Sequence, residues 1–229
     1  MAAKTPRAGR RADSLSKERI VEAAIDILDS DGETALTFRA LATHLSTGSG
    51  AIYWHVANKN DLLAAATDAV ISRVVTERVD HGTPRDAIRS IAVGVFDAID
   101  AHPWVGTQLA REPWQPAMLH IFEGVGAQLE ALGVAEGAQF NSASALVSYL
   151  LGLAAQYAAV LQLVPRETDR SAFLAATASR WAQHDPAKYP FVHQIAAQLP
   201  EHDDREQFLA GIDLFLAGID ASHPDTASR

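Results

Sequence analysis

Apolar residues recur at helical spacing along nearly the whole chain, separated by short polar breaks. Ile20, Ala23, Ala24, Ile27 and Leu28 follow the i, i+3, i+4, i+7, i+8 stripe of an amphipathic helix. Ser16 stands before that stripe as an N-cap, with Arg19 where a capping box prefers Glu, and Gly32 fits the C′ position. A second, short helix is predicted from Thr37, its N-cap, to about Leu45, with Leu41, Ala42 and Leu45 inward. Ser46-Thr47-Gly48-Ser49-Gly50 is small, polar and turn-forming. A third helix is predicted over Gly50–His55, anchored by Ile52, with Thr47 able to cap it. Two short helices, a tight turn and an apolar inner face are the makings of a helix-turn-helix.

Asn58, with Asp61 three residues on, reads as the cap of a fourth helix reaching about Val79, with Leu62, Leu63, Ala66, Ala69, Val70 and Val74 inward. The run His81-Gly82-Thr83-Pro84 ends it. Pro84–Ala101 is amphipathic again, and Pro103 forces a break before a short helix to about Arg111. Further helices are predicted over about 117–132, 141–163, 171–183, 191–199 and 204–221. The segment 141–163 is apolar nearly all round, which requires cover from more than its own core. Phe208, Ile212, Phe215 and Ile219 form one stripe of the last helix, beside Gly211 and Gly218, which would let another backbone approach. The expected fold class is all-α, with about ten helices. A helix-turn-helix domain over 16–63 precedes a helical domain over 64–221, between an arm at 1–15 and a tail at 222–229 that carry no apolar period.

Composition agrees with helices: alanine is abundant, β-branched runs are few, and 48% of the 229 residues are hydrophobic. Cysteine is absent, so no disulfide forms, which suits a reducing cytoplasm. No apolar run is long enough to span a bilayer, and the basic, polar start has no signal core. A cytoplasmic protein without membrane contact is expected.

The net charge of −9 argues at first against nucleic acid, but its distribution reverses that. Residues 1–60 hold 8 Lys and Arg against 7 Asp and Glu, whereas residues 61–229 hold 11 against 21. Lys4, Arg7, Arg10, Arg11, Lys17 and Arg19 make the start basic. Such an arm either neutralises phosphates or remains a solvated tail. On the outer face of the predicted helix-turn-helix, Arg39, Thr47, Ser49, Tyr53, His55 and Lys59 are base-reading or phosphate-contacting types.

The run Ala51-Ile52-Tyr53-Trp54-His55-Val56-Ala57-Asn58-Lys59-Asn60-Asp61-Leu62-Leu63 resembles the end of the DNA-binding domain of the tetracycline-repressor (TetR) family. Upstream, Leu36-Thr37-Phe38-Arg39-Ala40-Leu41-Ala42 resembles that family's second helix without a gap. The resemblance implies a homodimeric regulator, most simply a repressor, that binds double-stranded DNA at a palindromic operator through recognition helices one duplex turn apart. The implied contact set is Thr37, Phe38, Arg39, Thr47, Gly48, Ser49, Gly50, Ala51, Tyr53, Trp54, His55 and Lys59. Within it Arg39 suits a bidentate guanine contact and Ala51 a thymine methyl. Tyr53 and His55 suit phosphates, as does Lys59 at a helix N-terminus. Trp54 is shared between packing and backbone contact. The chain departs from the family at the turn, usually Gly followed by an aliphatic residue and here Ser46-Thr47. A left-handed Ser46 costs about 1 kcal/mol, and Gly48 and Gly50 weaken a helix by about 1 kcal/mol each where they lie inside it.

The resemblance further implies a small-molecule pocket in the second domain, coupled to the fourth helix. Aromatics near the helix breaks (Phe96, Trp104, Trp114, Phe122, Tyr149, Tyr157 and Trp181) suggest an apolar or aromatic effector. His102, His120, Asn141 and Gln156 supply polar handles. Leu150, Leu153, Tyr157, Phe208, Gly211, Ile212, Phe215, Gly218 and Ile219 are the candidate dimer-interface residues. No catalytic, nucleotide-binding or metal motif is present, so neither an enzyme nor a cofactor is expected. The competing reading is an all-helical small-molecule carrier or interaction module with a non-functional helix-turn-helix.

Overall fold

The computed structural model describes residues 15–78, 82–163 and 170–222. These residues fold into eleven α-helices without a strand. The basic arm, the tail from 223 and Pro165 lie outside the described residues, as do the side chains of Tyr157, Val160 and Leu161.

Local signals start the helices where the sequence places them. Ser16 Oγ accepts the Arg19 amide at 3.3 Å and opens α1 (Lys17–Asp31), which ends at Gly32 with φ 79°. Thr37 Oγ1 accepts the Ala40 amide at 3.1 Å and opens α2 (Phe38–His44). The next helix, α3 (Ser49–Tyr53), starts one residue earlier than the sequence suggests and ends sooner. Its N-cap is Gly48, which brings no side-chain hydrogen bond, so Thr47 is not the cap. Asn58 Oδ1 accepts the Asp61 amide at 3.0 Å at the head of α4 (Lys59–Arg78). Thr83 and Asp86 form a reciprocal capping box on α5 (Pro84–Ala101). That capping also holds the Asp86 carboxyl below the usual range, chiefly through the Thr83 hydroxyl.

The α5 helix breaks at His102, before Pro103 begins α6 (Pro103–Arg111). There follow α7 (Pro116–Ala131) and α8 (Glu136–Leu163). The α8 helix starts five residues before the expected Asn141, because its first turn is polar and carries no apolar period. Then come α9 (Arg170–Ala182), α10 (Pro190–Ala196), a 3-10 turn at Leu199–Glu201 and α11 (Asp204–Ser222).

One continuous apolar core runs through both halves of the chain. Helix α4 makes it continuous. Leu62, Leu63 and Ala66 close the N-terminal three-helix unit, and Val70, Ile71 and Val75 enter the core of the second domain. There α4 packs on α5 and α7, and α8 packs on α6 and α7. The α9 helix buries none of its described side chains and rests on α10 and the 3-10 turn.

Three of the nine dimer candidates belong to the protomer's own core. Leu150, Phe208 and Ile212 are fully buried within it, because the α11 stripe docks on α5 and α8 of the same chain. Gly211 likewise serves an internal approach: a Cβ there would overlap the Tyr149 ring of α8. Tyr149 donates its hydroxyl to the carbonyls of Gln207 and Phe208, at 3.3 and 3.2 Å. Leu153, Phe215 and Ile219 are only partly covered, and Leu214, next to Phe215 in α11, is 75% exposed.

Candidate nucleic-acid interface

Leu41 of α2 and Ile52 of α3 are wholly buried, which turns the intervening polar positions outward. Thr37, Arg39, Gly48, Ser49, Gly50, Tyr53, Trp54 and His55 are exposed, while Phe38, Thr47, Ala51 and Lys59 are half-buried. Phe38 stacks on Tyr53, with centroids 4.4 Å apart and planes 1° from parallel, and so ties α2 to α3. Trp54 is 89% exposed, so packing within this chain is not its role. The turn between the helices is a Schellman motif. Ser46 sits at φ 51°, its amide donates to the Thr43 carbonyl at 3.1 Å, and the Thr47 amide donates to the Ala42 carbonyl at 2.9 Å. Lys59 is partly committed: its Nζ donates to the Glu33 carbonyl at 2.6 Å. An ammonium has three donors, so two remain for a phosphate.

This surface offers one guanidinium, two exposed aromatic rings, hydroxyls and an imidazole around a five-residue helix whose own side chains are small. Such groups grip a phosphodiester backbone and reach base edges from α2 more readily than from α3. Among the described residues, no three His, Asp or Glu side chains converge as metal ligands would. None of the described helices is long and apolar enough to cross a membrane.

The candidate effector residues do not converge on one cavity. Phe96 and Gln156 line a cavity of about 140 Å3 with Leu153, Arg170, Phe173, Leu174, His202, Asp204 and Gln207. Trp181 lines a separate, wider cleft over α10 and the 3-10 turn. Asn141 lies in an open groove between α8 and α11, with Ala145, Leu214, Phe215, Gly218 and Ile219. Trp114 is 90% exposed on the α6–α7 loop and lines neither cavity. Phe122 packs against the core, and Tyr149 lies against Phe208 and Phe215, where burial raises its hydroxyl pKa. His120 Nε2 stands 3.2 Å from Asp68 Oδ1. His102 and Trp104 face the N-terminal domain instead: both reach Asp29, His102 Nδ1 at 2.8 Å and Trp104 Nε1 at 2.7 Å.

The pattern of the family described as "Bacterial regulatory proteins, tetR family" matches residues 20–66. That of the "Tetracyclin repressor-like, C-terminal domain" matches residues 78–223. Together they cover most of the chain. The chain belongs to the TetR family.

It is accordingly a helix-turn-helix transcriptional regulator. A solved TetR structure, the transcriptional regulator SCO7222 from Streptomyces coelicolor, is similar throughout. It is 50% identical, with a TM-score of 0.82 over 92% of this chain and all of that one. An HTH-type transcriptional regulator from Saccharopolyspora erythraea is 29% identical over 91% of this chain and 86% of its own length. The structure of BioQ with its natural double-stranded DNA operator is 30% identical over 66% of this chain and 90% of that one, with a TM-score of 0.57.

Sequence reasoning about this TetR regulator missed the residues that join its two domains. Besides Asp29, Glu33 accepts Arg111 Nη1 and Nη2 at 2.9 and 3.3 Å and Gln108 Nε2 at 3.1 Å. Glu33 raises the pKa of the Arg111 guanidinium further. The only sequence signal was a pair of acids at the end of α1 outside its apolar stripe, a pattern shared with many solvated carboxylates.

Proposed function

We propose that this regulator is a cytoplasmic, non-catalytic repressor that binds a palindromic operator as a homodimer and is released by a small apolar or aromatic molecule. The observation that carries the reading is the exposed face of α2 and α3. Arg39, Tyr53, Trp54 and His55 all stand in solvent there, around two helices whose inner faces are fully buried. Indole is costly to leave in water, and a duplex backbone is the surface this neighbourhood of donors suits. The acidic second domain confines duplex contact to the first. BioQ's complex with a double-stranded operator supports the same use of the shared fold.

Dimerisation is supported by the open apolar groove between α8 and α11, where Leu214 is 75% exposed and Phe140, on the same α8, 74%. Two such faces pack as a four-helix bundle and present two recognition helices to one side of a duplex. Effector binding is supported by the cavity with Phe96, Leu153, Phe173 and Leu174 on its apolar side and Gln156, Gln207, His202 and the Arg170–Asp204 ion pair on its polar side. A molecule that binds one arrangement of the domains better than the other shifts the population between them. Repression as the sign of regulation is supported by the likeness of the second domain to the tetracycline-repressor C-terminal domain.

The test is selection of bound duplexes from a random pool by the purified protein at two salt concentrations. An enriched palindrome whose affinity falls with salt is the expected result. A folded dimer that enriches no sequence would overturn the reading in favour of a carrier.

A further inference from the structure

Two carboxylates, Asp29 in the last turn of α1 and Glu33 just beyond it, are held by the two ends of α6. Asp29 sits against the start of α6, with His102 Nδ1 at 2.8 and 2.9 Å from its two oxygens and Trp104 Nε1 donating at 2.7 Å. Glu33 sits against its last turn, receiving Gln108 and both terminal nitrogens of Arg111. The main-chain carbonyl of Glu33 meanwhile accepts Lys59 at the head of α4. One residue thus joins the α1–α2 corner to both α6 and α4.

This grip is anchored on each side. Ile27 and Leu28, adjoining Asp29, are buried in the N-terminal domain. Trp104, Val105 and Leu109 of α6 are buried in the second, where α6 packs against α8. Gln115, itself buried, donates Nε2 to the Gln108 carbonyl at 3.0 Å and fixes the far end of α6 to the start of α7. A single continuous helix, α4, permits the domains to rotate about it. Two points of attachment at opposite ends of α6, added to that helix, remove the rotation.

From this geometry we infer that Asp29 and Glu33, with His102, Trp104, Gln108 and Arg111, are positioning residues that select the half-site spacing of the operator. The inference rests on the dimeric DNA-binding reading above. Once the second domains are docked, the angle each makes with its N-terminal domain sets the separation and phase of the two recognition helices. One added base pair moves a half-site by roughly 3.4 Å and turns it by roughly 35°. A rigid grip therefore rejects altered spacers. A loosened one tolerates them while leaving the base-contacting surface of α2 and α3 unchanged.

The experiment uses the full-length protein and its selected palindrome, with spacers from two base pairs shorter to two longer. Wild type should lose about tenfold in affinity for each base pair of change. D29N/E33Q should lose less than about threefold across the whole series while keeping the wild-type order of preference for half-site bases. Charge exchange provides the control for folding. E33R and R111E alone should each flatten the spacer profile, and E33R/R111E should restore it. A wild-type spacer profile in D29N/E33Q, or failure of the exchanged pair to restore discrimination, would overturn the inference. A wild type that enriches no palindrome overturns the DNA reading itself; one that enriches a palindrome but ignores spacing overturns the grip alone.

Discussion

The ring of Phe38 lies flat on that of Tyr53, 4.4 Å away, so the first residue of α2 braces the last residue of α3. A five-residue helix containing Gly50 has little stability of its own. Ile52 from beneath and Phe38 from the side hold it. Phe38→Ala should therefore cost about 2 kcal/mol of stability and weaken every duplex. Tyr53→Phe keeps the stack and removes only the hydroxyl. Its unfolding midpoint should match wild type while duplex affinity falls about fivefold without change of base preference. Equal affinity for Tyr53→Phe would leave Tyr53 with bracing as its whole role.

Ser46 occupies the left-handed position of the Schellman turn, at φ 51°, where glycine is the unstrained choice. Ser46→Gly should stabilise the protein by about 1 kcal/mol, a rise in Tm of roughly 2–4 °C. Thermal unfolding of the two proteins decides it. A drop in Tm would mean that the Ser46 side chain compensates its own backbone strain.

These features show what was legible in the sequence. Ser16, Thr37, Asn58 and Gly32 act on backbone groups within a few residues, so helix starts and stops can be read from neighbours. The left-handed turn at Ser46 is also local. Pairings such as Asp29–His102 and Glu33–Arg111 join residues more than seventy positions apart, and nothing at either end announces the other. An apolar stripe tells that a face is covered but not by what. Phe208 and Ile212 could not be told from dimer residues until α11 was seen docked on its own core. Proximity to a helix break likewise does not tell which aromatics share a cavity: Phe96 lines one with Gln156, whereas Trp104 lies at the domain junction and Trp114 in solvent.

Trp54 separates binding from folding cleanly. With 89% of its surface in water it contributes little to the folded state, so Trp54→Ala should leave stability within about 0.5 kcal/mol of wild type. The same change should reduce duplex affinity about tenfold by removing an aromatic surface from the interface. Urea unfolding and fluorescence anisotropy measure the two effects. Lost stability with unchanged affinity would reverse the assignment.

Gly211 is predicted to resist any side chain. A methyl group there meets the hydroxyl and ring of Tyr149, which Phe208 and Phe215 hold in place. Gly211→Ala should cost about 1–3 kcal/mol. Because the conflict is with one ring, Tyr149→Ala in the same chain should make the alanine nearly neutral relative to Tyr149→Ala alone. A double-mutant cycle on unfolding free energies tests that coupling. Additive effects would place the conflict with the α8 backbone instead.

Arg39 and Lys59 should divide recognition between them. Arg39 is exposed on the first turn of α2 and carries a planar fork suited to one guanine. Arg39→Ala should cost about 1–3 kcal/mol on the preferred operator and relax selection at a single base step. Lys59 stands at the head of α4, where the helix N-terminus favours negative charge, with one of its donors held by the Glu33 carbonyl. Lys59→Ala should weaken all sequences alike and reduce the slope of log affinity against log salt by about one for each phosphate no longer neutralised. Were the slope unchanged while stability fell, the Glu33 carbonyl would be the whole of its function. Were base preference altered, the recognition surface would extend beyond α2 and α3 into α4.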